Sequence, residues 1–229
     1  MSATRLLVLG GVRRAGRAHG YEVRRDLISW GSDEWAHVNP GSIYHALRQL
    51  AKEGMLRAHD VEESDAGPPH TDYEITQEGR EEFLRLLRCA LATVDIRHPE
   101  MLTAGLGFLT ELPRAEAVAL LRRRLDGLAD WRSSVAPHLA EQDPDDHHRE
   151  LLGWWVHSAD AATAWTRRLI ERLESGAYVM ADDRGSSPSG SAPPGSASGS
   201  APESAGSVAG SPGSPVSLQP PRRRRTSMK

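Results

Sequence analysis

Val38-Asn39-Pro40-Gly41-Ser42-Ile43-Tyr44-His45-Ala46-Leu47-Arg48-Gln49-Leu50-Ala51-Lys52-Glu53-Gly54-Met55-Leu56 is followed, past a polar loop, by Tyr73-Glu74-Ile75-Thr76. The first stretch predicts a helix over 40–53. Asn39 can accept from the free amides of the first turn, and Pro40 falls at the first helical position, where a missing N–H costs nothing. Ile43, Leu47 and Leu50 recur at i, i+4 and i+7, so one face is apolar. Gly54 stands where a left-handed cap ends a helix. The opposite face carries Gly41, His45, Arg48, Gln49 and Lys52, with Ser42 and Tyr44 on its flanks. Periodicity by itself fits a solvated surface helix equally well. Two short strands follow, with Leu56 and Ala58 alternating on one and Tyr73 and Ile75 on the other.

Working outward, Ser2 is placed to cap a helix over 3–14, with Leu6, Leu9 and Val12 toward the core. Gly16 to Gly20 reads as a break. A second helix over 20–30 carries Val23, Leu27 and Trp30 on one stripe. Thr76 caps a helix over 77–94 with the stripe Phe83, Leu86, Leu87, Ala90 and Val94. Three helices, a two-stranded hairpin and a linking helix make a winged helix-turn-helix, in which 40–53 is the recognition helix.

Three motifs in order carry a family resemblance. Leu6-Leu7-Val8-Leu9-Gly10 leads to His19-Gly20-Tyr21-Glu22. Pro40-Gly41-Ser42-Ile43-Tyr44 leads to Glu53-Gly54-Met55-Leu56. Tyr73-Glu74-Ile75-Thr76 leads to Gly79. Together the first 90 or so residues resemble the PadR family of bacterial transcriptional regulators. The resemblance implies DNA binding through the recognition helix, with contacts from Ser42, Tyr44, His45, Arg48, Gln49 and Lys52. Such side chains reach base edges and phosphates in a major groove.

The wing departs from the family pattern, which is rich in arginine and lysine. Here it reads Gly67-Pro68-Pro69-His70-Thr71-Asp72, with Glu62, Glu63 and Asp65 nearby. A wing without arginine has little to grip phosphate with. It is expected to stay off the DNA and leave binding to the recognition helix, with His70 its one candidate contact.

The net charge is −3, and residues 1–90 hold slightly more acid than base. DNA affinity rests on neutralised phosphates, so it must come from a local patch on a dimer. Arg13, Arg14, Arg17, Arg24, Arg25, Arg48 and Lys52 are the candidates. No run of about 18 apolar residues predicts a membrane span, and no signal peptide is evident. The single cysteine, Cys89, suits a reducing compartment and reads as a small packed residue. A cytoplasmic protein is expected.

From Pro99 the pattern is helical only. Met101, Leu102, Gly105, Phe108, Leu109 and Leu112 suggest one short helix ending before Pro113. Val118, Leu121, Leu125, Leu128, Val135 and Leu139 mark a long one, with Trp131 covering the gap at Arg132. After the turn at Asp143–Asp146, a helix over 147–175 shows Leu152, Trp155, Ala159, Ala162, Thr166, Leu169 and Leu173. Two antiparallel helices with heptad-like seams want partners, and in the PadR family such a region is a dimerisation arm. Trp131, Trp154, Trp155 and Trp165 read first as packing and interface anchors. The sharper reading is an intersubunit cavity where a small aromatic effector stacks.

The expected organisation is a winged helix-turn-helix domain over 1–95 and a helical dimerisation and effector domain over 96–180. A Ser/Pro/Gly/Ala-rich tail over 181–229 is expected to be disordered. It ends in Arg222-Arg223-Arg224-Arg225-Thr226-Ser227, a non-specific DNA arm or a kinase substrate in outline. No phosphate loop, paired cysteines or nucleophile elbow points to an enzyme, and no cofactor is implied. His147-His148-x-Glu150 fits a polar helix start better than a metal site. The expectation is a mainly α, homodimeric repressor of double-stranded DNA. A winged-helix protein–protein adaptor is the alternative that the acidic wing keeps open.

Overall fold

A computed structural model describes residues 2–36, 38–61, 70–143 and 145–185. The wing tip over 62–69 and the tail from 186 onward, including Arg222–Arg225, Thr226 and Ser227, lie outside the described residues. Helix α1 (Ala3–Ala15) is apolar nearly all round: every residue from Leu6 to Val12 is buried. This is the signature of a central helix. The stripe Leu6, Leu9 and Val12 was too narrow a description of it. Gly10 is required inside, because a β-carbon there would overlap the Phe108 ring. That ring meets Phe83 edge-on at 5.3 Å and Trp30 at 5.2 Å. Ser2 stands at the N-cap, but its side chain makes no capping bond.

The expected break at Gly16–Gly20 contains a strand, β1 (Arg17–His19). It pairs antiparallel with β3 (His70–Ile75), which also pairs with β2 (Leu56–Val61), so the hairpin is the larger part of a three-stranded sheet. Three residues between two glycines carry too little alternation to read as a strand, and only pairing to β3 satisfies their backbone. Helix α2 (Gly20–Ser29) starts at a capping box: His19 Nδ1 accepts from Tyr21 N–H, and Glu22 accepts from the His19 amide. A short α3 (Ser32–Trp35), unread in the sequence, starts at left-handed Gly31 and is tied back where Trp35 donates to the Trp30 carbonyl at 3.0 Å.

Helix α5 (Gln77–Ala92) is capped by Thr76, whose hydroxyl oxygen accepts from Gly79 N–H. Phe83, Leu86, Leu87 and Ala90 are buried as expected, while Val94 lies past the helix end and is half-buried. The predicted single helix before Pro113 is split into α6 (Glu100–Gly107) and a 3-10 turn at Leu109–Glu111, which drops Phe108, Leu109 and Leu112 into the core. Helices α7 (Arg114–Glu141) and α8 (Arg149–Glu174) pack antiparallel, with Arg122–Glu174 and Arg132–Asp160 ion pairs at 2.7 Å marking the register. One continuous core runs from Ala3 to Met180.

The first residues of the expected tail are tied to the helical pair. Asp182 accepts from the Arg114 amide at the start of α7. The Arg114 guanidinium donates to the Leu173 and Tyr178 carbonyls and to Asp183. These polar anchors, with buried Met180, hold residues 181–185 on the helical pair.

Arg5 joins α1 to two other elements, donating to Glu53 at 2.5 Å and to Glu82 at 3.1 Å. Both carboxylates sit below the usual value of 4.5. Glu53 is lowered chiefly by the Gln49 hydrogen bond and then by Arg5; Glu82 is lowered chiefly by Arg85 and then by Arg5. A carboxylate depressed in the folded state stabilises the fold above its unfolded pKa, and that part is lost as pH falls through the folded value. The Arg5→Met variant should therefore lose less stability than the parent between about pH 7 and about pH 3, read as the shift in urea midpoint. An equal loss in both would show that the pairs contribute nothing.

Candidate nucleic-acid interface

Helix α4 (Pro40–Lys52) begins as its sequence dictates. Asn39 Oδ1 accepts from Ser42 N–H at 2.8 Å, Pro40 is at the first turn, and the Ser42 hydroxyl donates to the Asn39 carbonyl at 2.7 Å. Ile43, Leu47 and Leu50 are buried, and Gly54 adopts φ +77°. With one face locked, Gly41, His45, Arg48, Gln49 and Lys52 are exposed on the other.

The predicted contact residues divide into three groups. Ser42, His45 and Gln49 border a shallow groove against the start of α1, together with Ser2, Thr4 and Arg5. Gln49 donates to Glu53 at 2.8 Å, so part of its capacity is already used. Arg48 and Lys52 form no hydrogen bond or ion pair with the described residues. Arg48 lies on the wing side, near Tyr73: burial pushes the Tyr73 phenol up, and the Arg48 charge pulls it partly back. Tyr44 is turned inward and half-buried against the start of α2. A β-carbon on Gly20 would come within 2.8 Å of its ring and 3.2 Å of Leu47.

His70 belongs to the base of the wing. Its Nε2 lies 3.4 Å from Asp72, and its ring meets the His19 ring edge-on at 4.8 Å. The strands around it hold acid paired with base: Arg17–Asp72 at 3.0 Å and His59–Glu74 at 3.1 Å. Ala58, expected to alternate with Leu56, is exposed although its partner across the ladder, Tyr73, is in the core.

The basic patch is smaller than the sequence suggested. Arg13 pairs with Glu111 at 2.8 Å and lies over Phe83. Arg14 bonds Asp26 and lies over Trp30, and Arg17 holds Asp72. These three arginines bind the domain's own elements together. Of the candidate cations, Arg25, Arg48 and Lys52 are exposed and form no ion pair with the described residues, while Arg24 is half-buried; Arg57 on β2 is exposed in the same way. Sequence reading passed over Tyr21, which is half-exposed at the first turn of α2 where that helix abuts α4. Its place directly after the His19 cap was the available signal.

In the helical arm no ring contact joins the four tryptophans to one another among the described residues. Trp154 and Trp165 are exposed, Trp155 lies beneath the Arg97 guanidinium at 5.9 Å, and Trp131 is half-buried on α7. Asp146, His147 and His148 bring ligand atoms within 4.8 Å of one another on an exposed turn. His148 is there bonded to Asp146, as a polar helix start requires. No helix among the described residues is long and apolar enough to cross a membrane.

Residues 8–85 match the model of the Transcriptional regulator PadR-like family, which bears out the resemblance for the segment that carries α4 and the wing. No curated protein sequence matches the chain. Among solved structures, that of Bacillus subtilis PadR in complex with operator DNA is 18% identical, covering 74% of this chain and 98% of its own, at a TM-score of 0.33. The PadR-like transcriptional regulator BC1756 from Bacillus cereus is 21% identical over 76% and 99%, at 0.31. Bacillus subtilis PadR in complex with p-coumaric acid is 20% identical over 75% and 96%, at 0.32. Likenesses at these TM-scores add nothing to the reading of the site.

Proposed function

We propose, from the PadR-like segment at residues 8–85, that this protein is a sequence-specific DNA-binding repressor that works as a homodimer. The observation that carries the reading is α4 itself. It is capped at Asn39, locked by Ile43, Leu47 and Leu50, and leaves His45, Arg48, Gln49 and Lys52 exposed along one face. Arg48 is the candidate for a bidentate contact to guanine, and Lys52 for phosphate. His45, Gln49 and Ser42 would read the flank beside α1, and Tyr44 and His70 would support the geometry more than touch bases.

The helical arm supports the dimer. Leu151 and Trp154, three residues apart, and Trp165, eleven further on, fall along one side of α8, and all three are exposed. The two tryptophans are about 16 Å apart along the axis. Such a stripe needs cover, and a second arm would give it. Two copies of α4 would then read a two-fold symmetric operator. A small aromatic effector stacked against Trp131, Trp155 or the interface tryptophans would change the spacing of the two helices.

Binding of the purified protein to its own promoter fragment and to an unrelated fragment, at several salt concentrations, tests this. Tight binding to the promoter alone, weakening steeply with salt, is expected. Equal, weak or salt-insensitive binding to both would overturn it in favour of a protein–protein adaptor.

A further inference from the structure

The chain carries a net charge of −3, yet one pocket gathers four arginines. Its volume is about 390 Å³, within the range of small-molecule sites. Arg13 and Arg14 reach it from the end of α1, Arg80 from near the start of α5, and Arg184 from the residues that follow α8. The buried Phe83 and Phe108 rings back it, and Glu111 is the one carboxylate that lines it.

These arginines exceed the partners the fold gives them. Arg13 and Arg184 share Glu111: Arg13 Nη1 lies 2.8 Å from one oxygen and Arg184 Nη1 3.4 Å from the other. Arg13 Nη1 is shut off from solvent and meets no acceptor in hydrogen-bonding alignment, so the pair neutralises charge without satisfying the donor. Arg184 also donates to Thr110 at 3.3 and 3.4 Å, longer than the usual range of such bonds. Arg80 is exposed and gives one bond of 3.4 Å to the Ile75 carbonyl, with no ion pair among the described residues. Of the four, Arg14 alone has a carboxylate to itself, Asp26. Four positive charges thus face two negative ones, a surplus of two.

Gathering like charges costs free energy through their repulsion. The fold does not require it here, since Arg13 alone could hold Glu111 and Arg80 holds no other side chain among the described residues. A cleft lined by one sign of charge focuses its field and concentrates counter-ions. A monoanion would leave half of the surplus standing. A diphosphate carries at least two negative charges and several oxygens, which planar guanidinium groups bind in pairs. No lining residue comes from α4 or the wing strands, so the pocket lies apart from the face assigned to DNA.

We infer that this pocket binds a small diphosphate-bearing anion, either inorganic pyrophosphate or the diphosphate of a nucleotide, held among Arg13, Arg14, Arg80 and Arg184. The site does not depend on DNA binding, so its failure and that of the regulator reading are separable.

The test titrates the full-length protein by calorimetry, without divalent cations, with sodium pyrophosphate, ADP, inorganic phosphate and sulfate. Pyrophosphate and ADP should bind saturably, with phosphate and sulfate about tenfold or more weaker. ADP at least as tight as pyrophosphate would make a nucleotide the occupant, and weaker ADP the free anion; either supports the proposal. Arg80→Gln and Arg184→Gln, checked for folding by circular dichroism, should each weaken pyrophosphate about tenfold, with Arg80→Lys in between. Two other basic regions could take a polyanion, α4 and Arg222–Arg225. Arg48→Ala, and a chain with those four tail arginines replaced by serine, should therefore bind pyrophosphate as the parent does. Pyrophosphate binding no tighter than sulfate would overturn the proposal without any variant. So would a folded Arg80→Gln that binds normally, or a loss that follows Arg48 or the tail arginines instead.

Discussion

Gly79→Ala should cost about 3 kcal/mol or more, the largest loss expected from adding one methyl group to this protein. Gly79 lies in the first turn of α5, where its amide donates to the Thr76 hydroxyl. A β-carbon there would overlap the Met55 carbonyl oxygen and come within 2.9 Å of Ile75 Cγ1. The Met55 carbonyl cannot retreat easily. It accepts from the Thr76 amide at 3.1 Å and from the Thr76 hydroxyl at 3.0 Å, which ties the start of β2 to the end of β3. Separating them strains the base of the wing and the cap of α5 together.

Gly54 supplies the contrast. It adopts φ +77° with open space where a β-carbon would go. Gly54→Ala should cost only the left-handed penalty of about 1–2 kcal/mol. Urea midpoints of both variants check the order. A Gly79→Ala chain as stable as Gly54→Ala would mean that the α5–β2 junction can open without loss.

Arg48→Ala should weaken promoter binding by about 1–3 kcal/mol, roughly tenfold to a hundredfold, and narrow the gap between promoter and unrelated DNA. The side chain is exposed and makes no ion pair with the described residues, so its removal should leave the urea midpoint within about 0.5 kcal/mol of the parent. Lys52→Ala, a phosphate contact in this reading, should weaken both fragments alike and lower the salt slope by about one. Arg14→Ala behaves differently. Arg14 is held by Asp26 and Trp30, so its loss should show in stability before it shows in DNA affinity. Unchanged promoter affinity in Arg48→Ala would remove α4 as the reading element.

Much of the winged segment was legible because its signals are local. Asn39, Pro40, Gly54 and Thr76 cap or end helices by bonds within a few residues, and a period of three to four buries Ile43, Leu47 and Leu50. The strand β1 was not legible. Arg17-Ala18-His19 has no alternation to show and becomes a strand only because β3 lies beside it. Arg13, Arg14 and Arg17 look like a DNA patch in one dimension, since their partners Glu111, Asp26 and Asp72 are distant or unaligned in sequence. Arg124 escaped notice because the spacing put Leu125 on the seam, whereas the fold buries Arg124 and leaves Leu125 half-buried.

By itself the sequence determined the longer helices, the caps at Asn39 and Thr76, the exposed polar face of α4 and the kinship of residues 8–85, because hydrogen bonds within one turn and the helical period are properties of neighbouring residues. The tertiary structure alone decided which charges are spent on holding the domain together and which remain outward. It also set the reason Gly10 and Gly79 carry no side chain, and gathered four guanidinium groups around one pocket. Ion pairing, steric exclusion and desolvation depend on distance in space, and residues far apart in the chain meet only after it folds.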